Sequence, residues 1–81
     1  MNGNSSFEEQ LDREVNFIAN SASGKRAFEL LGLEKQLTAA HRDLLVGAVV
    51  ASNSQFWIGG TLRSIRGLTP LQRKKLLTVA H

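Results

Sequence analysis

Residues 44–62 read LLVGAVVASNSQFWIGGTL, a stretch without a charged side chain in a protein of 81 residues. Its first part, residues 44–51, is apolar on every side at helical spacing, whereas a surface helix shows a single apolar stripe. A run this short also suits a buried strand. Thr38 favours the helix, because it is a good N-cap followed by helix-forming residues, so we predict a helix over residues 38–52.

This central apolar helix has to be covered, and a chain of 81 residues has only a thin core with which to cover it. Either the other helices of the chain wrap around it or a second copy does. We therefore predict a single all-α domain over residues 1–81, a compact bundle of about five short helices around the central one. Residues 1–5 are expected to be frayed. A homodimer is the expected oligomeric state. The apolar run is too short for a membrane span, which takes roughly 18 residues.

Two helices are predicted before the central one. Ser5 and Ser6 are candidate caps of the first, which continues with an apolar stripe at a helical spacing: Phe7, Leu11, Val15 and Ile18. Phe17 lies off this stripe and either widens the buried face, which is the commoner case and the one expected, or is exposed. Ser23 is the predicted cap of the second helix, and Gly32 is predicted to end it, since glycine is common just after a helix.

Two helices are predicted after the central one, capped by Ser54 and Thr69. The first contains Gly59-Gly60, and each glycine costs roughly 1 kcal/mol inside a helix, so the pair indicates a kink, a close helix crossing, or a break with a new helix starting at Thr61. Pro70 suits the first turn of the last helix. The side chains of this last helix that are expected to be buried are Leu71, Leu76, Leu77 and Val79.

The residues needed for common catalytic and metal sites are largely missing. The chain has no cysteine and no tyrosine, and His41 and His81 are its only histidines. His41 and Asp43 point to different sides of a helix, so no local histidine–carboxylate pair is implied, and His41 is interpreted as a partly buried polar residue. No metal-ligand spacing or cofactor motif is present. We expect a protein that is not an enzyme and uses no cofactor.

Charge is unevenly distributed along the chain, whose net charge is +3. Residues 1–20 carry four acidic side chains against Arg13 alone, whereas residues 44–81 carry five basic side chains and no acidic one. Basic side chains without acids nearby attract phosphates or an acidic protein surface. The C-terminal end is therefore the strongest functional signal, and its candidate binding residues are Arg63, Arg66, Gln72, Arg73, Lys74 and Lys75.

Two functions are considered for this basic end. The favoured hypothesis is a non-enzymatic protein-binding module, an adaptor or inhibitor that occupies an acidic surface of a partner. The alternative is a nucleic-acid-binding regulator, because a helix, a short glycine-containing turn and a capped helix are compatible with a helix-turn-helix. Against the alternative, position 73 is Arg where that motif needs an apolar residue. The interpretation without a binding function is that the five basic residues simply form the solvent-exposed faces of two amphipathic helices.

A further set of residues is assigned to the interface of the expected homodimer. Trp57 is expected to be a core residue at the dimer seam, and Gly59-Gly60 would permit close approach of a second chain. The predicted interface comprises Val46, Val50, Phe56, Trp57, Gly59 and Gly60. Since no signal peptide opens the chain, a cytoplasmic location is expected.

Overall fold

The computed structural model describes the backbone of residues 3–81 and the side chains of residues 7–81. This part of the chain forms five helices and no strand: α1 (Gly3–Ser21), α2 (Gly24–Leu33), α3 (Ala39–Ser52), α4 (Gln55–Ser64) and α5 (Pro70–Val79). The central position of α3 is confirmed, since it contacts each of the other four helices. The chain is therefore the all-α bundle that the sequence predicts.

Four of the helices begin at the residues that the sequence marks as caps. The hydroxyls of Ser23, Thr38, Ser54 and Thr69 each accept a hydrogen bond from the backbone N–H three residues further on. Each such cap stabilises its helix by about 1 kcal/mol. These four predictions are confirmed.

The first helix begins earlier than Ser5 and Ser6 predict, because α1 already includes Gly3. The side chains of these two serines lie outside the described side chains. Of the residues expected to be frayed, Met1 and Asn2 lie outside the described residues, and the backbone of residues 3–5 is helical.

The core is formed where α3 meets the inner faces of the other helices. Its most completely buried large side chains are Val15 and Ile18 of α1, Leu45, Val46 and Val49 of α3, Ile58 of α4 and Leu76 of α5. The central apolar stretch thus supplies much of the core, as the sequence predicts. Burial on this scale contributes about 1.5–3 kcal/mol for each large apolar side chain.

One prediction about a glycine is wrong. Gly32 does not end α2, which continues to Leu33 and is closed by a hydrogen bond from the N–H of Glu34 to the carbonyl of Leu30. The fourth helix, α4, runs through Gly59-Gly60 without a break, so the alternative of a new helix starting at Thr61 does not occur. Instead Thr61 lies inside α4, where its hydroxyl donates to the carbonyl of Trp57 at 2.7 Å.

The second glycine of that pair faces a side chain of α2 at an ordinary van der Waals distance. A Cβ atom on Gly60 would lie 3.5 Å from the ring of Phe28, so α2 and α4 approach each other here. The same ring packs against Trp57 with 5.4 Å between the ring centroids.

Five apolar side chains expected in the core are exposed, and of these Phe7 of the α1 stripe and Leu44 of the central run are 39 % and 40 % exposed. Phe17 of α1 is 60 % exposed, and Leu71 and Leu77 of α5 are 62 % and 58 % exposed. The buried face of α5 is defined instead by Gln72 and Leu76, which lie one helical turn apart. Each exposed leucine of α5 is adjacent in sequence to one of these buried residues and therefore points about 100° away from it.

Candidate binding surfaces

The position of α5 is fixed at both ends by glutamine amides. At its start, Oε1 of Gln72 accepts the N–H of Thr69 at 2.9 Å, and Nε2 of Gln72 donates to Oδ1 of Asp43 on α3 at 2.6 Å. At its end, Nε2 of Gln55 on α4 donates to the carbonyl of Val79 at 2.9 Å, and Oε1 of Gln55 accepts the N–H of His81 at 2.8 Å. The outer face of α5 is thus presented on a rigid support.

The connection between α4 and α5 is also tied to the central helix. Gly67 has a φ of +79°, a conformation that side chains with a Cβ atom rarely adopt. Beside it, Nη2 of Arg42 on α3 donates to the carbonyl of Arg66 at 2.7 Å. The turn therefore holds α5 at a defined angle to α4.

Five of the six residues predicted to bind a partner are exposed: Arg63, Arg66, Arg73, Lys74 and Lys75. Among the described side chains, Arg26 forms an ion pair with Glu14 and His41 contacts Asp12, and neither contact involves these five cations. Their charges are consequently available to an external anion or acidic surface.

Gln72 differs from the other five because its side chain is only 4 % exposed. Both ends of its amide are already hydrogen-bonded, to Thr69 and to Asp43. In this conformation Gln72 holds α5 against α3 and offers nothing to a partner or to a base edge.

The outer side of α5 combines apolar and basic side chains. Leu71, Arg73, Lys74, Lys75 and Leu77 are all exposed, and we call them the α5 face. A shallow pocket of about 480 Å³ lies on it, lined by Pro70, Arg73, Lys74, Leu77 and Thr78. The two leucines are the feature that the sequence pattern assigned to the core.

The residues assigned to a dimer interface lie in different environments. Val46 is 1 % exposed within the chain's own core, and Val50 and Trp57 are partly buried against it. Phe56 is 70 % exposed and stacks edge-on against Trp57 at 4.7 Å. Gly60 faces Phe28 of the same chain. Of this set, only Phe56 presents a large apolar side chain to solvent.

His41 has a structural role that the sequence analysis did not identify. Its Nδ1 accepts the backbone N–H of Thr38 at 3.1 Å, which completes a capping box, and its Nε2 donates to Oδ1 of Asp12 on α1. With both ring nitrogens engaged and the residue only 9 % exposed, His41 joins α1 to α3. The spacing from Thr38 to His41 could have indicated the cap, but the contact with Asp12 is set by tertiary structure.

In the described part of the chain, no three His, Asp or Glu side chains lie close enough to share a metal ion. None of the five described helices has both the length and the apolar character needed to cross a membrane.

Comparisons with protein-family models, with curated proteins and with solved structures found no significant match. The function is therefore inferred from the exposed side chains of the chain itself.

Proposed function

We propose that the protein is a non-enzymatic binding module, an adaptor or inhibitor, whose α5 face docks on an acidic surface of a partner protein. The observation that carries this proposal is the exposure of Leu71 and Leu77, 62 % and 58 %, among three exposed cations on a rigidly held helix. These two leucines point about 120° apart on α5 and so flank the cations, and exposed apolar side chains rimmed by polar ones are typical of interaction surfaces.

The leucines and the cations would contribute to binding in different ways. Burying one leucine side chain at an interface is worth about 1.5–3 kcal/mol, which mainly slows dissociation. Cations at the rim attract an acidic partner and accelerate association, an effect that weakens as salt is added. The α5 face has both kinds of residue, whereas a purely solvated helix face would need only the cations.

A protein partner suits this surface better than a nucleic acid. A recognition helix contacts base edges with residues near its N-terminus, and these contacts rely on polar side chains such as Arg, Asn and Gln. The first turn of α5 offers Pro70 and Leu71, and the amide of Gln72 is occupied inside the protein. Arg73 is left as the base-reading residue of this turn.

The proposal is tested by affinity capture from the source cells with a matched pair of charge-reversed variants. The α5 variant carries Arg73→Glu, Lys74→Glu and Lys75→Glu. The control carries Arg13→Glu, Lys25→Glu and Lys35→Glu, three exposed cations elsewhere on the chain, so that its net charge changes equally. We expect wild type and control to retain the same stoichiometric protein and the α5 variant to lose it.

Two outcomes would contradict the proposal. One is a captured protein that both variants retain equally, since the α5 face would then be irrelevant. The other is binding of a labelled DNA duplex, with a log–log salt slope near −0.9 for each phosphate contacted and loss of binding in the α5 variant alone. That result would identify the nucleic-acid-binding alternative.

A further inference from the structure

The central helix has one side that no other helix covers. The residues on this side, Ala40, Leu44, Gly47 and Ala51, are exposed and uncharged. Leu44 is 40 % exposed, and a Cβ atom built on Gly47 would meet nothing within 4 Å. We call these four residues the open α3 face.

A groove of mixed polar and apolar lining lies between α1 and the N-terminal half of the open α3 face, where it reaches Ala40 and Leu44. It has a volume of about 730 Å³ and its apolar lining includes Phe7, Leu11 and Leu44. Phe7 is 39 % exposed. The wall that α1 contributes also carries the carboxylates of Glu8 and Asp12, and no cation lines the groove.

The open α3 face lies between α1 and α5. His41 contacts Asp12 of α1, and Asp43 contacts Gln72 of α5. Successive residues of a helix point 100° apart, so His41 and Asp43 of α3 point about 160° apart when the angle is measured across the open α3 face. The face is therefore bordered on one side by acidic α1 and on the other by Asp43 and then α5, whose exposed side chains include Arg73, Lys74 and Lys75.

We propose that a second copy of this chain covers the open α3 face, in a parallel dimer with the two α3 helices side by side. A two-fold axis running along α3 places α1 of each copy opposite α5 of the other. Acidic and basic edges then meet on both sides of the axis. An antiparallel pair would instead place α1 against α1 and α5 against α5, so like charges would meet.

The spacing of the open α3 face suits this arrangement. Its residues follow one another at intervals of four, three and four, the pattern of the contact positions in a two-stranded coiled coil. A standard interface buries about 800 Å² on each partner, roughly a seventh of the 5369 Å² of accessible surface of this chain. Phe7 and Leu44 provide the large apolar side chains for it.

Dimerisation is measured on the purified chain by light scattering over a concentration series, and so does not depend on the proposed partner. We expect a dimer that dissociates on dilution. Gly47→Arg places a charge on the axis and is expected to raise the dissociation constant about tenfold or more. Space around Gly47 lets the monomer fold unchanged, which circular dichroism checks. Gly32→Arg adds the same side chain to an exposed glycine of α2 and should leave the dimer intact.

The direction of pairing is tested by disulfide cross-linking, since the natural chain has no cysteine. Ala40→Cys and Ala51→Cys should each form a disulfide with the same variant, because equal positions meet on a parallel two-fold axis. Gly32→Cys should not. Cross-linking only between the Ala40→Cys and Ala51→Cys variants would show an antiparallel pair and overturn the proposal. So would a mass of 8.9 kDa, that of the monomer, at every concentration.

Discussion

Substituting Gly24 by alanine tests how tightly α2 packs against the junction of α3 and α4. Gly24 is buried at the first residue of α2, and a Cβ atom there would lie 2.6 Å from Oγ of Ser52 and 3.2 Å from Cβ of Trp57. The hydroxyl of Ser52 cannot easily turn away, because it donates to the carbonyl of Val49 at 2.6 Å and accepts the N–H of Ser54 at 3.3 Å. The added methyl group must therefore displace a helix.

Overpacking of this kind costs about 1–3 kcal/mol, and the better helix propensity of alanine returns at most about 1 kcal/mol. We expect Gly24→Ala to lower the free energy of unfolding by about 1–2 kcal/mol, which corresponds to a fall in Tm of roughly 5–15 °C. Urea and thermal unfolding followed by circular dichroism measure it, at concentrations where the chain is monomeric. Gly47→Ala is the matched control, and with open space around it should raise stability by about 0.5–1 kcal/mol. Unchanged or higher stability of Gly24→Ala would refute the close packing at this junction.

Three further substitutions test contacts that hold the bundle together. His41→Ala removes both the cap contact at Thr38 and the link to Asp12 and should cost about 1–3 kcal/mol in urea unfolding; His41→Gln, which can still cap, should cost less, and equal losses would contradict a capping role. Gln72→Leu should cost about 1–2 kcal/mol by the same measurement, because Thr69 and Asp43 both lose a partner; a neutral effect would show that packing alone positions α5. Leu45→Ala should cost about 2–5 kcal/mol, since Leu45 is 0 % exposed, and a loss below 1 kcal/mol would place it outside the core.

The fold could be predicted from short-range signals. Helix starts are marked by cap residues, here Ser23, Thr38, Ser54 and Thr69. A cap accepts a backbone N–H only three residues away, so a few neighbouring residues are enough to identify it. The apolar run after Thr38 identifies the core helix for a similar reason. Helix ends are more difficult to predict from the sequence than helix starts. Glycine permits a helix to end but does not require it, and α2 continues past Gly32 to Leu33.

Surface assignments failed where a contact joins distant parts of the chain. Side-chain polarity alone predicts that Leu71 and Leu77 are buried and that Gln72 is exposed. In the structure the side chain of Gln72 faces α3, where it pairs with Asp43, and the two leucines are exposed. A buried glutamine is acceptable only because both ends of its amide find partners, and those partners are visible only in the folded chain. The link between His41 and Asp12 is hidden from the sequence in the same way.

The absence of enzymatic activity and the cytoplasmic location stay predictions. The functional proposal rests on the exposure of Leu71 and Leu77 on α5. The most direct test is the dissociation constant of the captured partner for Leu71→Ala/Leu77→Ala, compared with Leu33→Ala. Leu33 is 79 % exposed at the end of α2 and provides a leucine truncation away from the α5 face. We predict at least about a tenfold weaker complex for the α5 double variant and no change for Leu33→Ala. Equal affinity of all three proteins would contradict the claim that the α5 face is the binding surface.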